Sequence, residues 1–396
     1  MPRNTTLPAR PWVPGWYRMS TTPSGTVRLD SLTRSFAVEH VPPDLLRRLL
    51  ELLDGTRAIE DIRAQLDAPD APGSDPATVD GVLAALHAGG LLRDGPPGAA
   101  ALSGEEQSWW RQQADFFAHF SAASDATLPP RPDLLDSGFH YQARLRESVV
   151  AVLGCGRLGS QLARDLAISG IGALLCVDDG VVTDEAARTD AWFDLRHRGR
   201  PSAEVVCELV GQAAPHCRAV PVAPGSWEEL LARCDAAVVA GDVFRPADYE
   251  SVNAAALSCG TPWTSCRLVG LEVLVGPTVL PERSSCWTCF DDRRRSHLTR
   301  FEEAALVERI WAEGAMPPSL AVVPGLSLAA LEVVKLLTGF TPPTTVDGLL
   351  AIDTLTSITT LHPVLRVPRC RSCGRAAGDR PALQVWDMEH DAEGVL

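Results

Sequence analysis

Lysine is almost missing from this chain. Of 36 basic residues only Lys335 is a lysine, and the rest are arginines. A lysine-dependent step therefore has one candidate. Long basic runs are also lacking, and the formal net charge is −14. Binding duplex nucleic acid needs clustered positive charge, so that class of partner is excluded. The first twenty residues hold no apolar core of signal-peptide length, and no run of about 18 apolar residues occurs. The expected chain is cytoplasmic and spans no membrane. His119, His140, His197 and His362 show no ligand spacing, and there is no internal repeat.

What is present suffices for two hydrophobic cores, with 396 residues of which 45% are hydrophobic. We divide the chain into residues 1–98, a linker with a Trp-rich helix at 99–147, and a larger domain at 148–396. In the first part, TVRLDSLTRSFAVEH (26–40) alternates as two short strands around Asp30-Ser31. The leucines of 44–55 recur at helical spacing and stop at Gly55, a second helix covers 57–66, and a third lies within 74–92. Strands with three helices make a winged-helix-like unit. Residues 94–104 read as linker and 124–138 as loop.

From residue 148 the pattern becomes strand, helix, strand. The segments 148–154, 173–179, 217–223 and 236–242 read as buried strands, with helices between them. Such alternation predicts an α/β, doubly wound, Rossmann-like sheet. Gly154-Cys155-Gly156-Arg157-Leu158-Gly159 fits GxGxxG between a strand and a helix, and Asp178 follows nineteen residues later. Small residues let the backbone approach phosphates at a helix N-terminus, and the acid takes ribose hydroxyls. The alternative is a Rossmann turn that packs tightly and binds nothing.

Eleven cysteines include two pairs, Cys286-Trp287-Thr288-Cys289 and Cys370-Arg371-Ser372-Cys373, with eighty residues between them. Four thiolates form a closed tetrahedral zinc site with no position for water, so the metal is expected to be structural. Free thiols or a redox dithiol are the alternatives. The other cysteines lie mostly in apolar segments and read as small buried hydrophobes.

From about residue 105 onward the chain resembles the ThiF/MoeB superfamily of adenylyltransferases, relatives of ubiquitin-activating enzymes. The matching pieces come in order. SWWRQQ (108–113) carries Arg111, 149–182 carries the glycine loop and acid, AGDVFRPADYESVN (240–253) carries Asp242, and the cysteine pairs follow. The resemblance implies ATP and Mg²⁺ bound by Gly154, Gly156, Gly159 and Asp178, with Arg111, Arg188 and Asp242 around the phosphates and metal. It also implies the twofold dimers of many relatives, in which an arginine crosses to the neighbour's site.

Departures from that pattern carry information. TDEAARTD (183–190) keeps only Arg188 of the family's Asn…Arg-Gln segment. At the phosphate-binding lysine stands Ser202, after Gly199-Arg200-Pro201, and Val243 replaces the asparagine beyond Asp242. Lys335 lies far downstream in a packing helix. Arg198 and Arg200 are the candidate substitutes, and arginine does not replace a compact point charge. Adenylation is therefore expected to be degenerate.

This pattern resembles the ThiF-like partners of azole-forming YcaO cyclodehydratases in thiazole/oxazole-modified peptide biosynthesis. DGTRAIEDIRAQL (54–66) and VDGVLAALHAGGLL (79–92) are similar to the PqqD-type leader-recognition domain. The implied function is capture of a precursor leader and presentation of its core to the YcaO protein. Thr33, Phe36, Val38, Val79, Val82, Leu83 and Leu86 are the candidate groove residues, although each taken singly reads more readily as ordinary core. No residue is assigned a catalytic role. An active adenylyltransferase acting on a peptide or small-protein carboxylate is the alternative.

Overall fold

A computed structural model describes residues 7–15, 17–23, 25–31, 35–38, 41–66, 75–94, 102–120, 138–190, 192–242, 246–298, 303, 306 and 319–374. The expected linker at 94–104 and loop at 124–138 lie largely outside the described residues, as do Thr33 and Val243. The chain divides into two compact units. One comprises residues 1–144 with 338–341, and the other comprises 145–337 with 342–396.

In the first unit, β1 (Pro11–Trp12) pairs antiparallel with a short strand at Arg93–Asp94. β2 (Arg18–Thr21), β3 (Val27–Asp30) and β4 (Ser35–Val38) form an antiparallel sheet in that order, which leaves β4 on an outer edge. Helix α1 (Pro43–Leu52) starts on a proline, whose missing N–H costs nothing in a first turn. Its Leu45, Leu46 and Leu49 recur on one face and are buried, and Gly55 at φ +80° turns the chain after it. α2 (Ile59–Leu66) and α3 (Pro76–Ala88) follow, and then the Arg93–Asp94 strand as β5. One core joins Leu29 and Val38 of the sheet to leucines of all three helices.

The Trp-rich segment forms two helices, α4 (Gly104–Trp109) and α5 (Arg111–Ala118), parted at Trp110. Ser103 and Glu106 close a reciprocal capping box that fixes where α4 begins. α6 (Gly138–Glu147) then leads into the second unit.

That unit is a mixed α/β sheet of eight strands. β6 (Val149–Leu153), α7 (Arg157–Ile168), β7 (Ala173–Val177), α8 (Ala186–Thr189), α9 (Ser202–Ala213) and β8 (Arg218–Val222) come first. α10 (Trp227–Leu231), β9 (Ala236–Gly241), α11 (Pro246–Cys259), β10 (Trp263–Val269) and β11 (Glu272–Val275) follow. α12 (Trp287–His297), a long helix α13 (Ser319–Thr338), β12 (Gly348–Asp353) and β13 (Thr359–Pro363) complete it. The order is β13-β12-β11-β10-β9-β6-β7-β8. β10, β9, β6, β7 and β8 run parallel, and the other three strands add antiparallel. The parallel half is the expected nucleotide-binding topology. The antiparallel half was not expected: β11 and β12 carry short apolar runs, Val273–Val275 and Leu349–Ile352, that do not show strand direction, and β13 carries none.

Between β6 and β9 the strand order reverses. In open α/β sheets that reversal opens a crevice beyond the carboxyl ends of the strands. α13 is long and apolar enough over Ala321–Thr338 to cross a membrane by length and composition, but half of that stretch is buried inside the protein. Its Glu332 is buried and accepts from Lys335 Nζ at 2.7 Å and from the N–H of Thr345 at 2.7 Å. Gly325 lets it press against β11, since a Cβ there would lie 2.4 Å from Val273. α13 is thus a core helix of this fold.

Candidate functional site

The crevice is a cleft of about 320 Å³ lined by the ends of β6, β7 and β9 together with Trp227, Asp248 and Tyr249. Gly154, Gly156, Asp178 and Asp242 are brought together there. Each glycine has a steric reason. Gly154 adopts φ +97°, and a Cβ on it would meet the Ala240 carbonyl at 2.4 Å. Gly159 seats α7 against the strand end, where a Cβ would sit 1.8 Å from the Gly154 carbonyl oxygen. At Gly156 a Cβ would fall 1.9 Å from Asp242 Oδ2.

Asp178 is oriented by the loop it serves. The N–H of Cys155 donates to its Oδ2 and the N–H of Gly180 to its Oδ1, both at 2.6 Å. A carboxylate offers about four acceptor sites, so two remain for a ligand's hydroxyls.

Asp242 stands where a phosphate would dock. It accepts from the N–H of Arg157 at 2.6 Å and of Leu158 at 2.8 Å, the first free donors of α7. A helix N-terminus favours negative charge, and here the protein's own carboxylate supplies it. Burial pushes Asp242 up to about 6 although both N–H donors pull the other way, and the Asp190 charge adds to the rise.

The candidate cations are engaged elsewhere. Arg188 and Arg198 both pair with Asp184 at 3.2 Å, and Arg200 pairs with Glu208 at 2.6 Å. Arg157 is buried and donates to Thr189 Oγ1 at 3.0 Å. Ser202 is buried in the first turn of α9, its N–H bonded to the Gly180 carbonyl. Lys335 is held by Glu332 and Thr344. Among the described residues that line the cleft, the charged ones are Asp178, Asp179, Asp242 and Asp248, all acidic. Arg111 opens α5, in the first unit.

The four paired cysteines do meet. Cys286 caps α12 and Cys289 lies in its first turn, while Cys370 and Cys373 sit on a turn after β13. All four sulfurs lie within 4.8 Å of one another, and those of Cys286–Cys370 and Cys289–Cys373 are 3.6 and 3.5 Å apart. Tetrahedral Zn–S bonds of about 2.3 Å require sulfurs about 3.8 Å apart, so the cluster fits such an ion. The Cys286 thiol and the N–H of Val367 hydrogen-bond to Cys289 Sγ and hold it below the usual thiol range. Around it, Thr288 Oγ1 bonds Ser372 Oγ at 2.7 Å, and buried Asn253 accepts from the N–H of Trp287. Gly374 is required by the knuckle, because a Cβ there would lie 2.3 Å from the Cys370 carbonyl oxygen.

A family model described as the ThiF family matches residues 132–373, more than half the chain. This chain belongs to the ThiF family. Protein HesA of Leptolyngbya boryana is 27% identical over 241 residues, 60% of this chain and 80% of that protein. The molybdopterin-synthase adenylyltransferase of Escherichia coli is 24% identical over 241 residues, 60% of this chain and 91% of the enzyme. Among solved structures, E. coli MccB with ATP superposes with TM-score 0.59 at 15% identity, over 92% of this chain and 99% of MccB. PaaA superposes with TM-score 0.61 at 19% identity, over 89% and 99%. These likenesses establish the fold.

As a ThiF-family fold, the second unit keeps the glycine loop and its acid but surrounds them with negative charge. Sequence reasoning missed Trp227, Asp248 and Tyr249. Trp227 opens α10 outside any quoted motif, whereas Asp248 and Tyr249 lie within the segment 240–253 that carries Asp242, and only the fold shows that they line the cleft. In the first unit, Val38, Val79, Val82, Leu83 and Leu86 are buried in the core, and Phe36 packs half-exposed over it. The Phe36 ring rests on Gly89, whose Cβ would come 2.5 Å from it.

Proposed function

We propose that this protein captures the leader of a ribosomal precursor peptide and presents its core to a YcaO-type cyclodehydratase for azoline formation, without adenylating it. The observation that carries this reading is Ser202, buried in the first turn of α9 where the family pattern has its phosphate-binding lysine, together with a cleft whose described charges are all acidic. A triphosphate there meets repulsion where an adenylyltransferase needs stabilisation of developing negative charge.

The first unit then acts as a winged-helix-like, PqqD-like leader domain. The leader adds as a strand to the outer edge of β4, with main-chain hydrogen bonds supplying affinity. Phe36 is the half-exposed apolar contact beside that edge, and the buried groove candidates hold its shape. In support, one structural neighbour is a microcin C7 biosynthetic enzyme, MccB, solved in complex with N-formylated MccA. Zinc at Cys286, Cys289, Cys370 and Cys373 staples the second unit and does no chemistry. The protein works in the cytoplasm, and a homodimer is compatible with the family.

The second reading, an active adenylyltransferase, draws on the intact glycine loop, the oriented Asp178 and relatives named as adenylyltransferases. Two measurements on the full chain separate the readings. A fluorescent leader peptide should show saturable anisotropy, weakened about tenfold, or about 1.4 kcal/mol, by Phe36→Ala. Pyrophosphate exchange should stay at background with peptide present. Peptide-dependent exchange by the isolated protein would overturn presentation in favour of adenylation.

A further inference from the structure

We propose that a second cavity, on the antiparallel half of the sheet, is a binding site for a carboxylate carried on a short apolar body. It shares no lining residue with the cleft at the glycine loop. Its chemistry does not depend on whether that cleft holds a nucleotide.

β10 carries a single charge, Arg267, in a strand buried almost throughout. Arginine is seldom fully buried, because taking its charge out of water is costly. Arg267 is nevertheless only 2% exposed. Its guanidinium lies 4.7 Å from the ring centre of Trp287 and 5.0 Å from that of Phe290, both on α12. Ring faces attract the cation, while its fork of N–H donors lies in the guanidinium plane and matches the two oxygens of a carboxylate.

Strand register builds the cavity around this group. Leu274 of β11 stands opposite Arg267, and Leu349 of β12 stands opposite His362 of β13. Cross-strand partners share a face, so one side of the sheet presents an apolar floor together with polar ends. With Phe290 and Arg294 of α12, these residues line about 190 Å³. Drug-sized ligands need about 300–1,000 Å³, so the occupant is a small molecule or a single side chain.

Charge selects its sign. Arg294 pairs with Asp291 at 3.0 Å, but Asp291 is shared with Arg295 at 2.6 Å. Arg295 and Arg371 in turn share Glu250. Three guanidinium groups thus face two carboxylates, and Arg267 adds a further positive charge in the cavity wall. Among the described lining residues Glu272 is the one acid, and it is exposed. The balance favours an anion. The apolar floor of Leu274, Leu349 and Phe290 favours a carboxylate on a hydrocarbon body over a bare inorganic anion.

Calorimetric titration of the full chain with 4-methylpentanoate, its amide and the matching amine tests this. The acid should bind about tenfold or more tightly than either. Two peptides then distinguish the source of the carboxylate. Acetyl-leucyl-aspartyl amide carries it on a side chain, and acetyl-glycyl-leucine carries it at a chain terminus. Displacement of the acid by one of them assigns the cavity to that part of a peptide, and displacement by neither assigns it to a free acid. Glu272→Gln removes a like charge at an exposed position and should tighten the acid about threefold. Arg267→Gln should weaken it about tenfold, with circular dichroism reporting the fold. The inference is overturned by equal binding of acid and amide, or by no binding of the acid. It is equally overturned by unchanged or weaker binding in Glu272→Gln, a readout that stands even where Arg267→Gln does not fold. Undiminished binding by a folded Arg267→Gln chain would overturn it as well.

Discussion

The second unit carries two sites that have diverged in opposite directions. The cysteine cluster keeps four ligands at tetrahedral spacing, wrapped by Trp263, Trp287 and Tyr249 in the main core. The cleft has the glycine loop and its acid in place, and the charged residues among those described in its lining are all acidic. The difference is mechanical. If the cluster holds zinc as proposed, removing one cysteine leaves the metal short of a ligand, so the fold would depend on all four. A lysine beside a phosphate projects into solvent-filled space at the strand ends, and replacing it by buried Ser202 leaves the sheet undisturbed. On the proposed reading, a scaffold can lose a reaction without losing its shape when the change falls on charge and not on packing.

The strongest way to break this comparison is to take the metal away. Metal analysis should find one zinc per chain. Chelation, or Cys370→Ser, should destabilise the second unit by about 5 kcal/mol or more, seen as a fall in Tm of roughly 10–20 °C. Zinc sites in small peptides supply about 10–16 kcal/mol, and this unit has its own core to fall back on. An unchanged Tm after verified metal loss would show that the cluster is not structural.

Steric demand within the glycine loop sharpens the comparison further. Gly159→Ala drives a Cβ into the Gly154 carbonyl oxygen, a backbone atom with nowhere to move. It should cost about 3 kcal/mol in denaturant unfolding. Gly156→Ala meets only the Asp242 carboxylate, which can swing away, and should cost about 1 kcal/mol or less. Equal costs would mean that the loop is not tied to strand β9 as described.

A pH-dependent effect tests the carboxylate at the helix start. Asp242 has its ordinary value of 3.8 when unfolded and about 6 when folded. A raised value means that the folded state prefers the protonated acid. The stabilisation is complete below about pH 4 and is lost as pH rises through about 6. Roughly 2 units correspond to at most about 3 kcal/mol, reduced by the partial exposure of the group. Relative to Asp242→Asn, which cannot ionise, the native protein should lose stability between pH 4 and pH 7. Parallel stability curves would show that the carboxylate is better solvated than its position implies.

Much of this was readable beforehand. Leu153, Val177 and Gly241 end strands whose apolar runs and following glycines or acids mark them in the sequence, because parallel strands are buried on both faces. β13 shows no such run and is exposed along its length, so nothing in its composition identifies it. The split between α4 and α5 at Trp110 was hidden inside one helical pattern. Val79, Val82, Leu83 and Leu86 could have been groove or core, since both ask for the same apolar spacing. The packing makes them core.

By itself the sequence determined the glycine loop, its acid, the two cysteine pairs and the loss of a lysine at position 202, because each depends on residue identity at short spacing. Only the tertiary structure decided that Asp242, more than eighty residues after the loop in the chain, closes the first donors of α7. The same is true of the acidic lining of the cleft and the meeting of Cys286 with Cys370. Those facts depend on which strand ends become neighbours, and that is set by the order of the whole sheet.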